Sequence, residues 1–235
     1  MDYFAHLPEG CISEILSLTS PEDTARLSAV SKRFKAAAES DSVWDRFLPP
    51  RLADIISRSV SPVVYSSKKE LYFALCNSPI LLDDGAKLSF SLDQRSGKNC
   101  FMIAARQLDI RSGNNGDRCQ WESLPDSRFS EVAVLWKVIW LDIRCKIPAN
   151  MLSASTNYAV YLVFRFVSIA YVLQLSRALV RLNSPREKRR MDGGGMGSFY
   201  NDAVNDGDVE AQFVEFWPLS WKRSLIVQGF EFRPK

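Results

Sequence analysis

The chain has 235 residues, 46% of them hydrophobic, and its formal net charge at pH 7 is +3. That length allows one sizeable core plus a small module, and the charge is too close to neutral for a typical nucleic-acid-binding protein. The five cysteines, Cys11, Cys76, Cys100, Cys119 and Cys145, are scattered and form no CxxC pair, which argues against a disulfide framework and against a zinc site.

The sequence gives no sign of secretion or of a membrane partner. The N-terminus lacks the basic stretch and the apolar run of a signal peptide. The most apolar segment, residues 158–182, is interrupted by Arg165, Gln174 and Arg177, so no apolar run reaches the roughly 20 residues that a membrane helix needs. With five cysteines that suit a reducing compartment, we predict a protein of the cytosol or the nucleus.

Residues 7–48 predict three short helices. Leu7-Pro8 gives an extended lead-in, because proline disfavours helical angles at the residue before it. The first helix carries an apolar stripe at helical spacing, Ile12, Ile15 and Leu16. The second begins at Ser20-Pro21, a capping hydroxyl followed by a residue that needs no donor, and carries Leu27, Val30, Phe34 and Ala37-Ala38. The third starts at a Ser40-Asp41 cap and carries Val43, Trp44, Phe47 and Leu48.

Three helices in about forty residues bury too little apolar surface to be stable unaided. One interpretation is that they form the N-terminal flap of a larger domain. The other is a docking module whose spare apolar residues are covered by a partner.

The residues of this segment carry a resemblance to a known family. Its motifs are the LP lead-in, ISxILS, SPxD, LSxVSKxF and SDSVWxxFLP, which run almost without a break from residue 7 to residue 49. The segment resembles an F-box, in the form found at the head of plant phloem-lectin-like proteins. The resemblance implies docking onto the Skp adaptor, and through it onto the cullin, of a ubiquitin ligase. By position it makes the following residues candidates for adaptor contact, with packing between the helices as the alternative for each: Leu7, Pro8, Ile12, Ile15, Leu16, Val30 and Trp44.

Beyond Pro49-Pro50, which cannot continue a helix, residues 51–84 are predicted to be a partly helical connector. Its predicted helix is Lys68–Cys76. The predicted domains are therefore 1–50, the connector 51–84, and 85–235.

From residue 87 the apolar pattern changes to a period of two, with Leu88, Phe90 and Leu92 alternating with polar residues. Many short segments rich in Val, Ile, Phe, Tyr and Trp follow, without alternating helices. The further predicted strands are 100–104, 129–134, 138–143, 158–166, 209–216 and 225–232. The pattern favours a mainly antiparallel β-sandwich, so the fold class expected for the chain is α+β.

Residues 167–207 do not fit this pattern. By composition, residues 167–182 are predicted to be a helix. Arg186–Arg190 (REKRR) is predicted to be a solvated loop, with a nuclear import signal as the alternative. The glycines of 193–197 lack the context of a phosphate-binding loop and are predicted to form a flexible connector.

Residues 71–235 resemble the phloem-lectin domain, on the motifs LYFALC, SFSLDQRSGKNCFMIAAR, LPDSRFSEVAVL, VIWLDIRCKI, YAVYLVFR and WKRSLIVQGFEFRPK. The resemblance implies a β-sandwich that binds oligomers of N-acetylglucosamine or the core of N-linked glycans, and hence a ligase that recruits glycoproteins. The chain departs from the family where aromatic residues are expected, because Ser112, Arg118 and Cys119 stand there. Trp121 alone remains as a carbohydrate-binding candidate, with structural packing as its alternative. The Gly-Trp motif expected near residues 194–199 is also replaced or displaced.

Nothing in the sequence indicates catalysis, a cofactor or a metal site. The single histidine, His6, precedes the first helix, so no Ser-His or Cys-His pair is expected in the main domain. The acids of Asp83-Asp84 and of 206–210 lie in turn-like contexts and are expected to be solvated. Trp136, Trp140, Trp217 and Trp221 are expected in the core or on strand surfaces. Three hypotheses for this non-catalytic chain remain: recruitment of glycoproteins, recruitment of a protein or peptide by loops or a sheet edge, and a free cytoplasmic lectin.

Overall fold

A computed structural model describes residues 7–112, 119–136, 140–166, 176–184, 187–192, 197–202, 207–216 and 225–235. The chain divides into two compact units. The first comprises Met1–Ile80 and Ser91–Asn99, and the second comprises Leu81–Phe90 and Cys100–Lys235. Helices occupy the N-terminal region and mostly antiparallel strands the remainder, so the predicted α+β class is confirmed.

The helices of the described residues are α1 Glu9–Ser17, α2 Pro21–Leu27, α3 Lys32–Ala38, α4 Asp41–Phe47, α5 Leu52–Ser57 and α6 Lys68–Asn77. Ser20 caps α2 as predicted, since its side-chain oxygen accepts a hydrogen bond from the amide of Asp23 at 3.0 Å. Ser40 precedes α4 but makes no capping bond; its hydroxyl pairs with that of Ser42. The predicted helix at 68–76 is α6, capped by Ser67.

The prediction of a single second helix is wrong, because that stretch forms both α2 and α3. Ser31 has extended backbone angles, φ −159° and ψ 165°, and its side-chain oxygen accepts a hydrogen bond from the amide of Phe34 at 3.2 Å. Just before it, the Ser28 hydroxyl donates to the carbonyl of Ala25 at 2.6 Å. Serine side chains that bond to nearby backbone compete with a continuous helix. A new helix therefore starts after Ser31.

The strands are β1 Ile80–Leu82, β2 Leu88–Leu92, β3 Asn99–Ala104, β4 Asp109–Ser112, β5 Cys119–Glu122, β6 Val132–Leu135, β7 Trp140–Pro148, β8 Thr156–Phe166, β9 Ser176–Ser184, β10 Glu187–Asp192, β11 Ser198–Asn201, β12 Asp208–Phe216 and β13 Leu225–Pro234. Within the described residues, an eight-stranded sheet runs β1-β2-β3-β13-β6-β5, with β8 pairing with β13 and with β11. A five-stranded sheet runs β10-β9-β12-β7-β4.

Most buried hydrophobic residues of the second unit lie on the strands of these two sheets. In the five-stranded sheet one row across neighbouring strands, Val180, Ala211 and Cys145, is almost fully buried. The next residue on β12, Glu210, and its partner on β7, Lys146, are more exposed. This alternation is the period of two that the sequence predicts for strands with one buried face.

The predicted helix at 167–182 is wrong over its described part, because residues 176–184 form β9. Hydrogen bonding to β10 on one side and β12 on the other fixes the extended conformation, and such tertiary pairing overrides the local helical preference of Leu and Ala. The prediction that the basic run forms a loop is also wrong over its described part, since Glu187–Asp192 is β10. Strands β4 and β5 were not predicted.

The predicted flexible connector at 193–197 lies outside the described residues except for Gly197. Gly197 is packed tightly, because a Cβ there would lie 2.3 Å from a methyl carbon of Val180. Its carbonyl also accepts a hydrogen bond from the amide of Val160 at 3.0 Å. No helix in the described part of the chain is both long enough and apolar enough to cross a membrane.

Candidate functional site

The residues predicted for adaptor contact separate into a buried set and an exposed set. Ile12, Leu16 and Trp44 have no exposed surface in the first unit. Phe34, which the sequence left between adaptor and core, is also buried. Their burial agrees with the alternative that the sequence left open, packing between helices, and adaptor contact through them stays a prediction.

Trp44 is the largest of the fully buried side chains in this unit. Its indole nitrogen donates to the carbonyl of Ala38 at 2.6 Å. The ring lies 5.2 Å, centroid to centroid, from both Tyr72 and Phe73, and 5.7 Å from Phe47. Aromatic clusters of this kind contribute beyond the area that they bury. Trp44 therefore holds α4 against α6.

Polar contacts join α6 to the same unit. The amide of Lys68 donates to a carboxylate oxygen of Asp41 at 2.8 Å, and the ammonium of Lys69 pairs with Glu39 at 2.6 Å. The hydroxyl of Tyr72 reaches the backbone carbonyls of Asp93 and Gln94 at 3.2 and 3.0 Å. Burial raises the pKa of Tyr72 above its ordinary value, so the hydroxyl remains a donor. Helix α6 of the predicted connector thus belongs to the first unit.

The exposed set comprises Pro8, Ile15, Val30 and the partly buried Leu7. Ile15 is 40% and Val30 66% exposed, although both are large and apolar. Arg33 donates to the carbonyl of Leu7 at 2.8 Å, which fixes the lead-in segment to α3. The N-terminal helices thus leave several apolar side chains uncovered.

Leu18, at the C-cap of α1, belongs to this exposed set, and sequence reasoning missed it. It is 72% exposed. A signal was available, because Leu18 follows Ile15 by three residues, which is the spacing of neighbours on one helix face. We call Leu7, Pro8, Ile15, Leu18 and Val30 the exposed F-box residues.

The candidate carbohydrate residue, Trp121, lies on β5 of the second unit and is partly buried. The guanidinium carbon of Arg106 lies 3.9 Å from the centre of its ring. Arg106 comes from the 3-10 turn Ala105–Gln107 that follows β3. The two residues form a cation–π stack.

Glu131 holds the stacked guanidinium in place. Arg106 donates to both of its carboxylate oxygens, from Nε at 2.9 Å and from Nη2 at 2.8 Å. These hydrogen bonds lower the pKa of Glu131 and raise the pKa of Arg106, so both groups stay charged at neutral pH. The carboxylate of Glu131 therefore orients the guanidinium that stacks on Trp121.

The positions at which the resemblance implies further aromatic residues lie on strands of different sheets. Ser112 ends β4 in the five-stranded sheet, whereas Cys119 begins β5 in the eight-stranded sheet. Arg118 lies outside the described residues. Cys119 shares one face of β5 with Trp121, and burial raises the pKa of its thiol despite the nearby Arg106. The described part of this site therefore offers one aromatic ring, with a guanidinium over it.

The described residues contain no group of three or more His, Cys, Asp or Glu side chains that could hold a metal ion. His6, Trp217, Trp221 and the acid Asp206 lie outside the described residues. Trp136 is 40% exposed, and its indole nitrogen donates to Gln120 at 3.0 Å. Trp140 is partly buried at the start of β7.

Comparison with known proteins finds a family model that matches residues in each of the two units. The F-box-like family model matches residues 4–49 and the phloem protein 2 family model matches residues 98–234. An F-box protein of Arabidopsis thaliana is 41% identical over 98% of this chain and 80% of its own length. From the same plant, the putative F-box protein PP2-B12 is 40% identical over 99% of this chain and 98% of its own. F-box protein SKIP3 is 37% identical over 97% of this chain and 87% of its own.

Among solved structures, the CBM22-1 xylan-binding domain of Paenibacillus barcinonensis covers 56% of this chain and 87% of its own at 6% identity. Its TM-score of 0.33 is too low to inform function. The sequence relatives, in contrast, match this chain over almost its whole length. The chain therefore belongs to the family of F-box proteins that carry a phloem protein 2 domain.

Proposed function

We propose that this chain is the substrate-recruiting F-box subunit of a Skp–cullin–F-box ubiquitin ligase that acts in the cytosol or the nucleus. The observation that carries the proposal is the set of exposed F-box residues, above all Ile15, Leu18 and Val30. These apolar side chains lie uncovered within the residues that match the F-box-like family model, and that match supports their assignment to an interaction surface. The Skp adaptor covers this surface and joins the chain to the cullin.

The chain itself performs no chemistry in this proposal. The adaptor and cullin hold it near a ubiquitin-charged conjugating enzyme, and the second unit holds the target. Tethering raises the effective concentration of the target at the enzyme, which accelerates transfer without a catalytic residue in this chain.

The target is a glycoprotein, recognised by its N-acetylglucosamine oligomers or N-glycan core. Family membership and the ring of Trp121, whose stacked Arg106 pairs with the carboxylate of Glu131, support this choice. A sugar site combines an aromatic face for the C–H face of the sugar with a few acceptors for its hydroxyl groups.

A second candidate is recruitment of a protein segment without a sugar. Two observations favour it: Ser112 and Cys119 stand where relatives carry aromatic residues, and Arg106 lies over the one remaining ring.

The test of the adaptor assignment is co-expression of the full chain with the Skp adaptor. Val30→Asp and Ile15→Asp each place an unpaired carboxylate in the proposed apolar interface, which costs free energy on binding because the charge loses its water. We expect each to weaken capture by more than about tenfold.

Val64→Asp is the matched control, because Val64 is 84% exposed in the same unit but lies outside the exposed F-box residues. It should leave capture unchanged. Equal capture of all four proteins, each with an unchanged unfolding temperature, would refute the assignment.

A further inference from the structure

We propose that Arg106 is a gate on Trp121: held by Glu131, it closes the indole face to a neutral saccharide, and its displacement opens that face. The proposal rests on the ligand-binding role proposed above for the second unit. It makes Arg106 a residue that lowers the affinity of this domain for a sugar.

The first step is steric. A guanidinium carbon 3.9 Å from the ring centre is at van der Waals stacking distance. No sugar ring can enter between the two planes. A sugar that stacks on this face of Trp121 must therefore replace Arg106.

The second step concerns the surroundings of the ring. On β6, the residues paired with Trp121 and Cys119 are Ala133 and Leu135, and both are buried. Cross-strand partners lie side by side on one face of a sheet, so the ring lies beside buried side chains. The side chain of Arg106, which is 39% exposed, covers a face of this partly buried ring.

The third step concerns what the open state offers. When Arg106 leaves, the carboxylate of Glu131 loses its two hydrogen bonds and becomes an acceptor for hydroxyl groups. The same movement therefore exposes an aromatic face and frees the acceptor that had held Arg106. These are the two elements that a saccharide site requires.

The gate is weak enough to be displaced. Solvent-exposed ion pairs and exposed cation–π contacts are both modest contributions. A ligand that must displace them loses affinity without being excluded altogether, and removing the gate should raise affinity by about tenfold.

The experiment is calorimetric titration of the full chain with chitotriose. Arg106→Ala removes the gate, and we expect it to bind about tenfold more tightly than the unchanged chain. The matched control is Arg111→Ala, because Arg111 is an exposed arginine paired with Asp109 at 2.8 Å on β4, a strand of the other sheet. It should leave affinity unchanged. Adding Trp121→Ala to Arg106→Ala should abolish the gain.

Two results would overturn the gate, and they differ in what they leave standing. If Trp121→Ala abolishes chitotriose binding but Arg106→Ala does not improve it, the lectin role stands and the gate is wrong. If no folded variant binds chitotriose, both the gate and the glycan part of the proposed function are wrong. Neither result affects the adaptor assignment, which the Val30→Asp experiment tests on the other unit.

Discussion

Trp44→Phe distinguishes a core residue from an adaptor contact. Phenylalanine keeps an aromatic ring among Tyr72 and Phe73 but cannot donate to the carbonyl of Ala38. Leaving a buried acceptor unpaired costs about 1–3 kcal/mol, and the smaller ring adds a cavity term, so we expect a loss of about 2–4 kcal/mol. Trp44→Ala is less informative, because its cost approaches the whole stability of a small domain.

The assay is urea and thermal unfolding of the full chain, followed by the helical signal in circular dichroism. For a unit of about 90 residues, the expected loss lowers the unfolding temperature by roughly 10–20 °C. Trp136→Phe serves as the control, because Trp136 is exposed and its loss should cost less than about 0.5 kcal/mol. If Trp44→Phe unfolds like the unchanged chain yet fails to capture the adaptor, Trp44 is a contact residue and the reasoning is wrong.

Three further predictions follow from local geometry. Burial raises the pKa of Cys76 to about 12, so at pH 8 its thiolate is about a thousandfold scarcer than that of an ordinary thiol; iodoacetamide should label the exposed Cys11 well before it, as peptide mass spectrometry will show. Gly229→Ala would place a Cβ 2.0 Å from a backbone carbonyl of β3, so we expect loss of the folded second unit in circular dichroism. The hydrogen bond from Arg144 lowers the pKa of Asp142, so this carboxylate stabilises the fold at neutral pH and loses that effect as the pH falls through the lowered pKa. Asp142→Asn should therefore flatten the acid side of the stability–pH curve.

Each of these predictions has an outcome that contradicts it. Equal labelling rates for the two cysteines would show that burial does not raise the pKa of Cys76. A normally folded Gly229→Ala chain would show that β13 and β3 are not so close. An unchanged acid limb in Asp142→Asn would mean that Arg144 does not stabilise the charged form.

The helical unit was largely predictable because its signals are local. Ser20-Pro21 indicates a helix start, and the apolar and polar residues of Lys68–Cys76 indicate α6. The spacing of the apolar residues could not show which face of each helix is covered by the rest of the unit. Trp44 looks like a spare apolar residue until α6, more than twenty residues further on, packs against it.

Strands were predicted where apolar and polar residues clearly alternate, as in β2. They were missed where pairing with neighbouring strands, rather than local sequence, determines the extended conformation. Residues 176–184 have the composition of a helix, yet two neighbouring strands fix them as β9. The stack on Trp121 could not be predicted from the sequence either. Arg106 lies fifteen residues before Trp121 and Glu131 ten residues after it. Only the fold brings Arg106 over the ring and pairs it with Glu131. Local sequence gives the aromatic candidate, but only the fold shows what covers it.

Hydrogen–deuterium exchange on the full chain, with and without the Skp adaptor, tests the central claim most directly. The account predicts new protection in α1 and around Leu27–Val30, with none in the loop at 58–67, where Val64 is exposed. Protection confined to that loop, or no protection on addition of the adaptor, would contradict the assignment of this chain as an F-box subunit.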